Sequence, residues 1–373
     1  MRVERADGRY IQYYAFDEPL PAVLDRPQAA RPADGLELRW NPMLGEHVVI
    51  STGRQDRTFL PPPESCPLCP TDPAATFTSE IPSPGYEIVA FENRFPSLRP
   101  DAAPPASTSP LERRERAAGL CEVLVYAPRH DATLASLSDA QVRHLVDVWA
   151  DRYAELSARP EVAYVFIFEN RGREIGVTLT HPHGQIYAFP YVPPRVQREH
   201  ELALRHVAGG GGCLLCDVVA EEIAGGERIV ATAEGFVAYV PFAARLPYEV
   251  HVVAAAHRPS LLSLSDAERT GLARIVRTVQ AKYDHLWGFA MPYTMSMHQR
   301  PDGRPSHAGR TAGRAADGAD RAGDHLHIEF APPYRTRDKL KYLAGIETGA
   351  GTFINDTAPE DTARALRAAA PAT

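Results

Sequence analysis

The chain has no long apolar segment and no basic run, and it contains few cysteines. None of its 373 residues lie in a stretch that approaches the length of a membrane span, and the segment MRVERADGRY at the start is too charged for a signal peptide. A formal net charge of -7 without a basic run argues against nucleic acid as the main partner. We therefore expect a cytoplasmic protein that binds neither a membrane nor nucleic acid.

The five cysteines are mostly paired. Cys66 with Cys69 and Cys213 with Cys216 form two C-x-x-C motifs, while Cys121 stands alone at the start of an apolar strand. In a reducing compartment such pairs indicate a metal site rather than a disulfide. The first pair lies in a proline-rich turn, which suits a zinc knuckle.

A second pattern, HPHGQ at residues 181–185, combines two imidazoles with an amide. Alternate residues of an extended segment point the same way, so His181, His183 and Gln185 should share one face. The apolar residues 162–169, which predict a buried strand, and a glycine-punctuated loop precede them. A neutral imidazole can attack phosphorus and carry the transferred group, so the pattern indicates a site for an anionic substrate. The alternatives are a pair of polar strand residues or two metal ligands.

Two passages resemble each other and predict an internal duplication. EVLVYAPRHDATLASL at 122–137 and EVHVVAAAHRPSLLSL at 249–264 both read as a strand, a histidine and a turn. Ser138 and Ser265 follow at the same offset with capping-box spacing, so each should open a helix. A C-x-x-C pair precedes each copy and an H-x-H pair follows it. The repeat predicts an α+β fold of two halves, each an antiparallel sheet with a crossing helix.

Composition suggests where these halves begin and end. We predict an N-terminal extension at 1–35 that is loosely held, a first half at 36–195, a second half at 196–355 and a tail at 356–373. The low-complexity residues 301–323 predict a mobile insertion within the second half. The Ala-rich tail suits a short surface helix.

Asn170-x-Gly172 followed by HPHGQ resembles the signature of the galactose-1-phosphate uridylyltransferase family, the transferase branch of the histidine-triad superfamily. The resemblance implies a duplicated histidine-triad-like fold and a homodimer. It also implies exchange of uridylyl between UDP-glucose and galactose 1-phosphate, or a related hexose 1-phosphate. His183, the second histidine of the motif, would then be the nucleophile that carries the uridylyl group, assisted by Gln185.

The resemblance also implies roles for residues outside the motif. Besides Gln185, the implied nucleotide and phosphate contacts are Arg54, Arg57, Asn93, Asn170 and Thr178, and the implied hexose contacts are Lys341 and Glu347. Family members that use galactose typically carry glutamine six residues after this glutamate, where the present chain has Phe353. The preferred hexose 1-phosphate is therefore left open.

Two metal sites are predicted, and the second has two alternative ligand sets. The first site is Cys66, Cys69, His130 and His181, a donor set that suits tetrahedral zinc. For the second site, the duplication predicts Cys213, Cys216, His257 and His325. The family resemblance instead implies Glu199, His298, His325 and His327. The thiolate set favours zinc, whereas the harder set would accept iron or zinc. We favour the Glu199 set, because His298 and His327 otherwise lack a purpose.

Two other functions remain compatible with these patterns. One is a phosphorylase or adenylyltransferase of the same superfamily that acts on a different nucleotide or sugar. The other is a zinc-binding interaction protein without enzymatic activity, which would use its two C-x-x-C knuckles. Screening UDP- and ADP-sugars tests the first alternative, and a uridylylated His183 would exclude the second.

Overall fold

The computed structural model describes residues 1–370 except for 18, 25, 27–34, 57–59, 75, 108 and 302–322. Arg57 and nearly all of the predicted insertion lie outside the described residues. The strands described are β1 (Arg2–Glu4), β2 (Tyr10–Tyr14), β3 (Leu36–Asn41), β4 (Glu46–Ser51), β5 (Ile88–Glu92), β6 (Arg114–Arg116), β7 (Leu120–Val125), β8 (Tyr164–Arg171), β9 (His183–Phe189), β10 (Ile229–Ala233), β11 (Phe236–Tyr239), β12 (Val250–Ala254), β13 (Tyr293–His298), β14 (His327–Ala331), β15 (Tyr334–Thr336) and β16 (Lys339–Leu340). The α-helices described are α1 (Asp139–Ser157), α2 (Pro194–Ala208), α3 (Leu214–Gly225), α4 (Asp266–Trp287), α5 (Gly345–Ala350) and α6 (Pro359–Ala368). No helix in these ranges is long and apolar enough to cross a membrane.

Eleven strands form one antiparallel sheet in the order β1-β2-β5-β7-β9-β8-β13-β14-β12-β11-β10. The halves meet in the middle of this sheet, where β13 pairs with β8 from Tyr293 opposite Arg171 to Met297 opposite Ile167. The predicted α+β class with two antiparallel-sheet halves is confirmed, and the halves join edge to edge into one continuous sheet. Strands β3, β4 and β6 form a separate small sheet, and β15 pairs with β16.

The two long helices begin where the sequence predicted them. The hydroxyls of Ser138 and Ser265 each accept from the backbone N–H three residues on, and the side chains of Gln141 and Glu268 complete the capping boxes. Helices α1 and α4 lie side by side over one face of the sheet, in contact through a shared hydrophobic core. The apolar stripe of α1 is buried in that core: Val142, Leu145, Val146, Trp149, Tyr153 and Leu156.

The side chains of β9 alternate between the two faces of the sheet, and this alternation determines which face bears the functional side chains. Ile186 and Ala188 are fully buried in the core against the long helices. His183 and Gln185 point to the opposite face, because successive side chains of a strand alternate. The predicted common face of the motif therefore lies away from the main core.

Residues 2–14 belong to the main sheet, whereas the sequence suggested a loosely held extension. Strand β1 pairs with β2, and β2 pairs with β5 so that Ile11 lies opposite Phe91. The side chain of Arg9 is fully buried and lies 2.9 Å from Glu80, a partner 71 residues away. Charged residues such as Arg9 flank the short strand β2. Sequence alone did not show that their ion-pair partners lie far away along the chain.

Candidate active site

A cavity lies beside the HPHGQ motif, on the face of the sheet opposite the helices α1 and α4. The strand register places Gln185 opposite Val123 and Val123 opposite Phe91, so the floor spans β9, β7 and β5. Two strand spacings separate its polar end at β9 from its aromatic end at β5 by about 10 Å. The side chains that line it include Arg54, Leu68, Glu80, Phe91, Asn93, Arg94, Val123, Thr178, Leu179, His183 and Gln185.

His183 keeps a lone pair on one ring nitrogen. Its Nδ1 lies 2.7 Å from the carbonyl oxygen of His181 and must donate to it, because a carbonyl oxygen can only accept. The lone pair is therefore on Nε2. Burial lowers the pKa of His183, against the opposing effect of this hydrogen bond, so the ring is neutral at neutral pH. A neutral, oriented imidazole is the form that attacks phosphorus.

Close packing beneath the motif explains the glycine between His183 and Gln185. A Cβ at Gly184 would collide with the hydroxyl of Tyr126 and would lie 3.0 Å from the carbonyl oxygen of Phe168. Strand β9 therefore approaches its neighbours closely at this residue, which fixes the height of the two functional side chains above the sheet.

The predicted phosphate-binding side chains are partly assembled around this motif. Nη1 of Arg54 donates to the carbonyl oxygen of Phe95 at 3.0 Å and lies 3.2 Å from the hydroxyl of Tyr187. Asn93, Thr178 and Gln185 line the same cavity. Asn170 is not among the described lining residues, although it shares a strand face with Phe168, which lies opposite Gln185.

The predicted hexose-binding residues lie together but outside the cavity. Nζ of Lys341 is 2.9 Å from Glu347, which also accepts from the backbone N–H of Ala344 at 3.0 Å. The hydrogen bond from Lys341 lowers the pKa of Glu347 to about 2, so this carboxylate is ionised at neutral pH. The neighbouring Tyr342 and Leu343 are 70% and 52% exposed, which leaves an apolar surface beside the ion pair.

The first predicted metal-ligand set is brought together. The ligand atoms of Cys66, Cys69, His130 and His181 all lie within 4.8 Å of one another. Nε2 of His181 donates to the carbonyl oxygen of Ala127 at 2.8 Å, so its Nδ1 faces the thiols and lies 3.4 Å from Cys69 Sγ. Nδ1 of His130 is also 3.4 Å from that sulfur. Two thiols and two ring nitrogens converging on one point fit a four-coordinate zinc ion.

The set predicted from the duplication is assembled in the same way. Cys213, Cys216, His257 and His325 form a second group whose ligand atoms lie within 4.8 Å of one another. Nε2 of His325 donates to the carbonyl oxygen of Ala254 at 3.0 Å, which turns its Nδ1 to 3.4 Å from both sulfurs. The second half thus repeats the ring orientation of the first.

The alternative set forms a separate cluster, in which Glu329 stands where His325 was expected. Ligand atoms of Glu199, His298, His327 and Glu329 lie within 4.8 Å of one another, and Nδ1 of His298 is 2.7 Å from Glu199. The two sets that competed for His325 in the sequence therefore exist side by side. The sequence did contain a signal for Glu329, since it follows His327 at the spacing by which Gln185 follows His183.

A buried carboxyl group lies under the motif on the packed face of the sheet. The hydroxyl of Tyr293 donates to Oε1 of Glu169 at 2.8 Å. Burial raises the pKa of Glu169 to about 7, although the hydrogen bond from Tyr293 acts in the opposite direction. This group therefore titrates near neutral pH.

Replacing Glu169 by glutamine should remove a pH dependence of stability. Because the folded-state pKa lies above the unfolded value, the stabilising contribution of the protonated group is complete below about pH 4.5 and is lost as pH rises through about 7. Between pH 5 and 8 the wild type should therefore lose about 2 kcal/mol more unfolding free energy than Glu169→Gln. Urea unfolding of both proteins measures the difference, with exposed Glu174→Gln as the matched control. Parallel pH profiles for Glu169→Gln and the wild type would contradict the expectation.

Known proteins resemble this chain over most of its length. The family model described as galactose-1-phosphate uridyl transferase, N-terminal domain, matches residues 29–193, and the corresponding C-terminal domain matches residues 197–369. A protein of Thermotoga maritima named galactose-1-phosphate uridylyltransferase is 40% identical over 336 residues, covering 89% of this chain and 98% of its own. A Streptomyces lividans protein of the same name is 40% identical over 335 residues, covering 88% and 86%. A solved uridylyltransferase structure superposes with a TM-score of 0.75 at 33% identity, covering 89% of this chain and 98% of that one.

Proposed function

The chain belongs to the galactose-1-phosphate uridylyltransferase family, and from that premise we propose how it exchanges uridylyl between UDP-glucose and galactose 1-phosphate. Nε2 of His183 attacks the α-phosphorus of UDP-glucose, and the P–O bond to glucose 1-phosphate breaks as the N–P bond forms. A phosphate oxygen of galactose 1-phosphate then attacks the same phosphorus, the N–P bond breaks with its electron pair returning to Nε2, and UDP-galactose is released. The observation that carries this proposal is the hydrogen bond from Nδ1 of His183 to His181, which leaves the lone pair on Nε2.

Donors around the cavity stabilise the charge on the transferring group. Arg54 is held by Phe95 and can bind the non-bridging phosphate oxygens, as can the amide of Gln185 and the hydroxyl of Thr178. We give Arg57, Asn93 and Asn170 nucleotide-binding roles on the family resemblance. Phosphoryl transfer depends largely on such placement of charge, so these residues should affect the rate of both half-reactions.

We propose zinc at both Cys/His clusters, and zinc or iron at the cluster of Glu199, His298, His327 and Glu329. Zinc held by the first cluster would supply a crosslink between the knuckle and the residues that lead into β9. His181 both belongs to that cluster and accepts the hydrogen bond that orients His183. Its fixed ring therefore supports the orientation of the nucleophile. Thiol ligands of this kind also favour a reducing compartment, in agreement with the cytoplasm.

We further propose that the enzyme is a homodimer in which Lys341 and Glu347 of one subunit complete the hexose site of the other. In support, this ion pair lies outside the cavity of its own subunit, beside the exposed Tyr342 and Leu343. Burial of that apolar surface against a second copy would bring the pair toward a neighbouring cavity.

Trapping the covalent intermediate tests the proposed function. The metal-loaded protein is incubated with UDP-glucose labelled at the α-phosphorus, without an acceptor sugar. We expect one acid-labile uridylyl group for each active site, located by peptide mapping on His183. Addition of galactose 1-phosphate should discharge the label as UDP-galactose. Absence of label on the peptide, or discharge only by inorganic phosphate as in a phosphorylase, would contradict the proposal.

A further inference from the structure

Glu80 is the one carboxylate among the described residues that line the active-site cavity. Its side chain is 13% exposed, so it is accessible from the cavity yet firmly packed. A carboxylate is repelled by the phosphates of the substrate, so Glu80 should lie at the end of the cavity away from the phosphate-binding residues. Arg5, which binds it, lies over the ring of Phe91 at 5.2 Å, at the end of the floor remote from Gln185. Glu80 therefore belongs to the nucleoside end of the cavity.

The hydrogen bonds within the protein leave one acceptor of Glu80 open. Its Oε2 accepts from Arg5 at 2.7 Å and from Arg9 at 2.9 Å. Its backbone N–H donates to Pro67 at 2.8 Å, and its backbone carbonyl oxygen accepts from Arg5. Within the described part of the chain no hydrogen bond reaches Oε1, and Nη1 of Arg94 stays 4.0 Å away. The two buried guanidinium groups thus hold the carboxylate so that Oε1 alone is available to a ligand.

One open acceptor beside a guanidinium group matches the edge of uracil. Leu68, Phe91, Val123 and Leu179 supply apolar walls for a flat ring. Uracil carries a single ring donor, N3–H, flanked by two carbonyl acceptors, one of which can accept from Arg94. The ribose diol would present two donors to a carboxylate that has one oxygen free. Cytosine has an unprotonated N3, which would place an acceptor against Oε1.

We infer that Glu80 accepts the N3–H of the base and so selects uridine over cytidine nucleotides. The inference rests on the uridylyl transfer proposed above, and it assigns the choice of base to a residue that takes no part in the chemical step. When the wrong base binds, the buried acceptor of the site loses its hydrogen-bond donor or lies against a second acceptor. Either situation disfavours binding of that base strongly.

The ratio of kcat/KM for UDP-glucose to that for CDP-glucose tests this inference in the metal-loaded enzyme. In Glu80→Gln the arginines retain the amide oxygen, so an amide N–H replaces Oε1 and can donate to N3 of cytosine. The ratio should fall at least about 10-fold, mainly through KM, whereas the amount of uridylyl-His183 formed at saturating UDP-glucose should match the wild type. The matched control is Glu64→Gln, which should keep the wild-type ratio. Glu64 is exposed and lies two residues before Cys66.

A modified substrate gives a second test that needs no variant. UDP-glucose methylated at N3 lacks the donor, so the wild type should use it with a KM at least about 10-fold higher. An unchanged ratio in folded Glu80→Gln, or unimpaired use of the methylated substrate, overturns the inference. A change confined to 2'-deoxy-UDP-glucose also overturns it, because the carboxylate would then bind ribose. Failure of the proposed function is distinct, since the wild type would then form no uridylyl-His183 from UDP-glucose itself.

Discussion

Replacing His183 by glycine should lower the rate of uridylyl exchange by about 10⁴-fold or more, because no other group takes the place of a removed nucleophile. Loss of the ring prevents formation of the N–P bond on which both half-reactions depend, while the other residues of the motif and their hydrogen bonds remain in place. Formation of UDP-galactose from UDP-glucose and galactose 1-phosphate measures the effect. His206→Gly is the matched control, since His206 lies on the surface of α2, paired with Asp217 at 2.6 Å.

Free imidazole should restore part of the activity of His183→Gly. The glycine variant leaves a space with the shape of the lost ring, and an added imidazole bound there offers the same nucleophilic nitrogen. We expect the rate to rise with imidazole concentration in this variant and to stay constant in the wild type. A His183→Gly enzyme whose rate lies within about tenfold of the wild type would show that the uridylyl group never resides on this residue.

Local features of the site could be predicted from the sequence because they depend on nearby residues. The common face of His183 and Gln185 follows from the alternation of an extended segment, and the starts of α1 and α4 follow from capping residues three positions apart. The first Cys/His cluster was also predicted, and the second was the alternative set that the duplication predicted, although the Glu199 set was favoured.

Features that depend on distant pairing could not be predicted in the same way. The halves were expected, but not their union through β8 and β13, because that union depends on a register between strands far apart in the chain. The same holds for Glu80, whose partners Arg5 and Arg9 come from a segment that read as an extension. The predicted ligand sets lacked Glu329 for another reason: the family resemblance implied four ligands without it.

Removing one thiol of the first cluster should abolish one metal site and destabilise the fold. Burial, together with the nearby charge of Cys66, raises the pKa of the Cys69 thiol to about 12, an arrangement that a bound cation would relieve. We expect Cys66→Ser to lose one equivalent of zinc by metal analysis and to unfold at a temperature several degrees lower. Cys121→Ser is the control, because Cys121 is buried but belongs to neither cluster. Equal metal content in all three proteins would contradict zinc binding here.

The internal duplication offers a matched comparison for the catalytic role of that metal site. Cys66→Ser and Cys213→Ser remove equivalent thiols, and each should cost one equivalent of zinc. Only the first thiol faces the ring of His181, whose carbonyl oxygen fixes His183. Single-turnover labelling with UDP-glucose should therefore slow by about 10- to 100-fold in Cys66→Ser and by far less in Cys213→Ser. Equal slowing in the two variants would mean that zinc supports the fold as a whole, and that His183 needs no separate support from the first cluster.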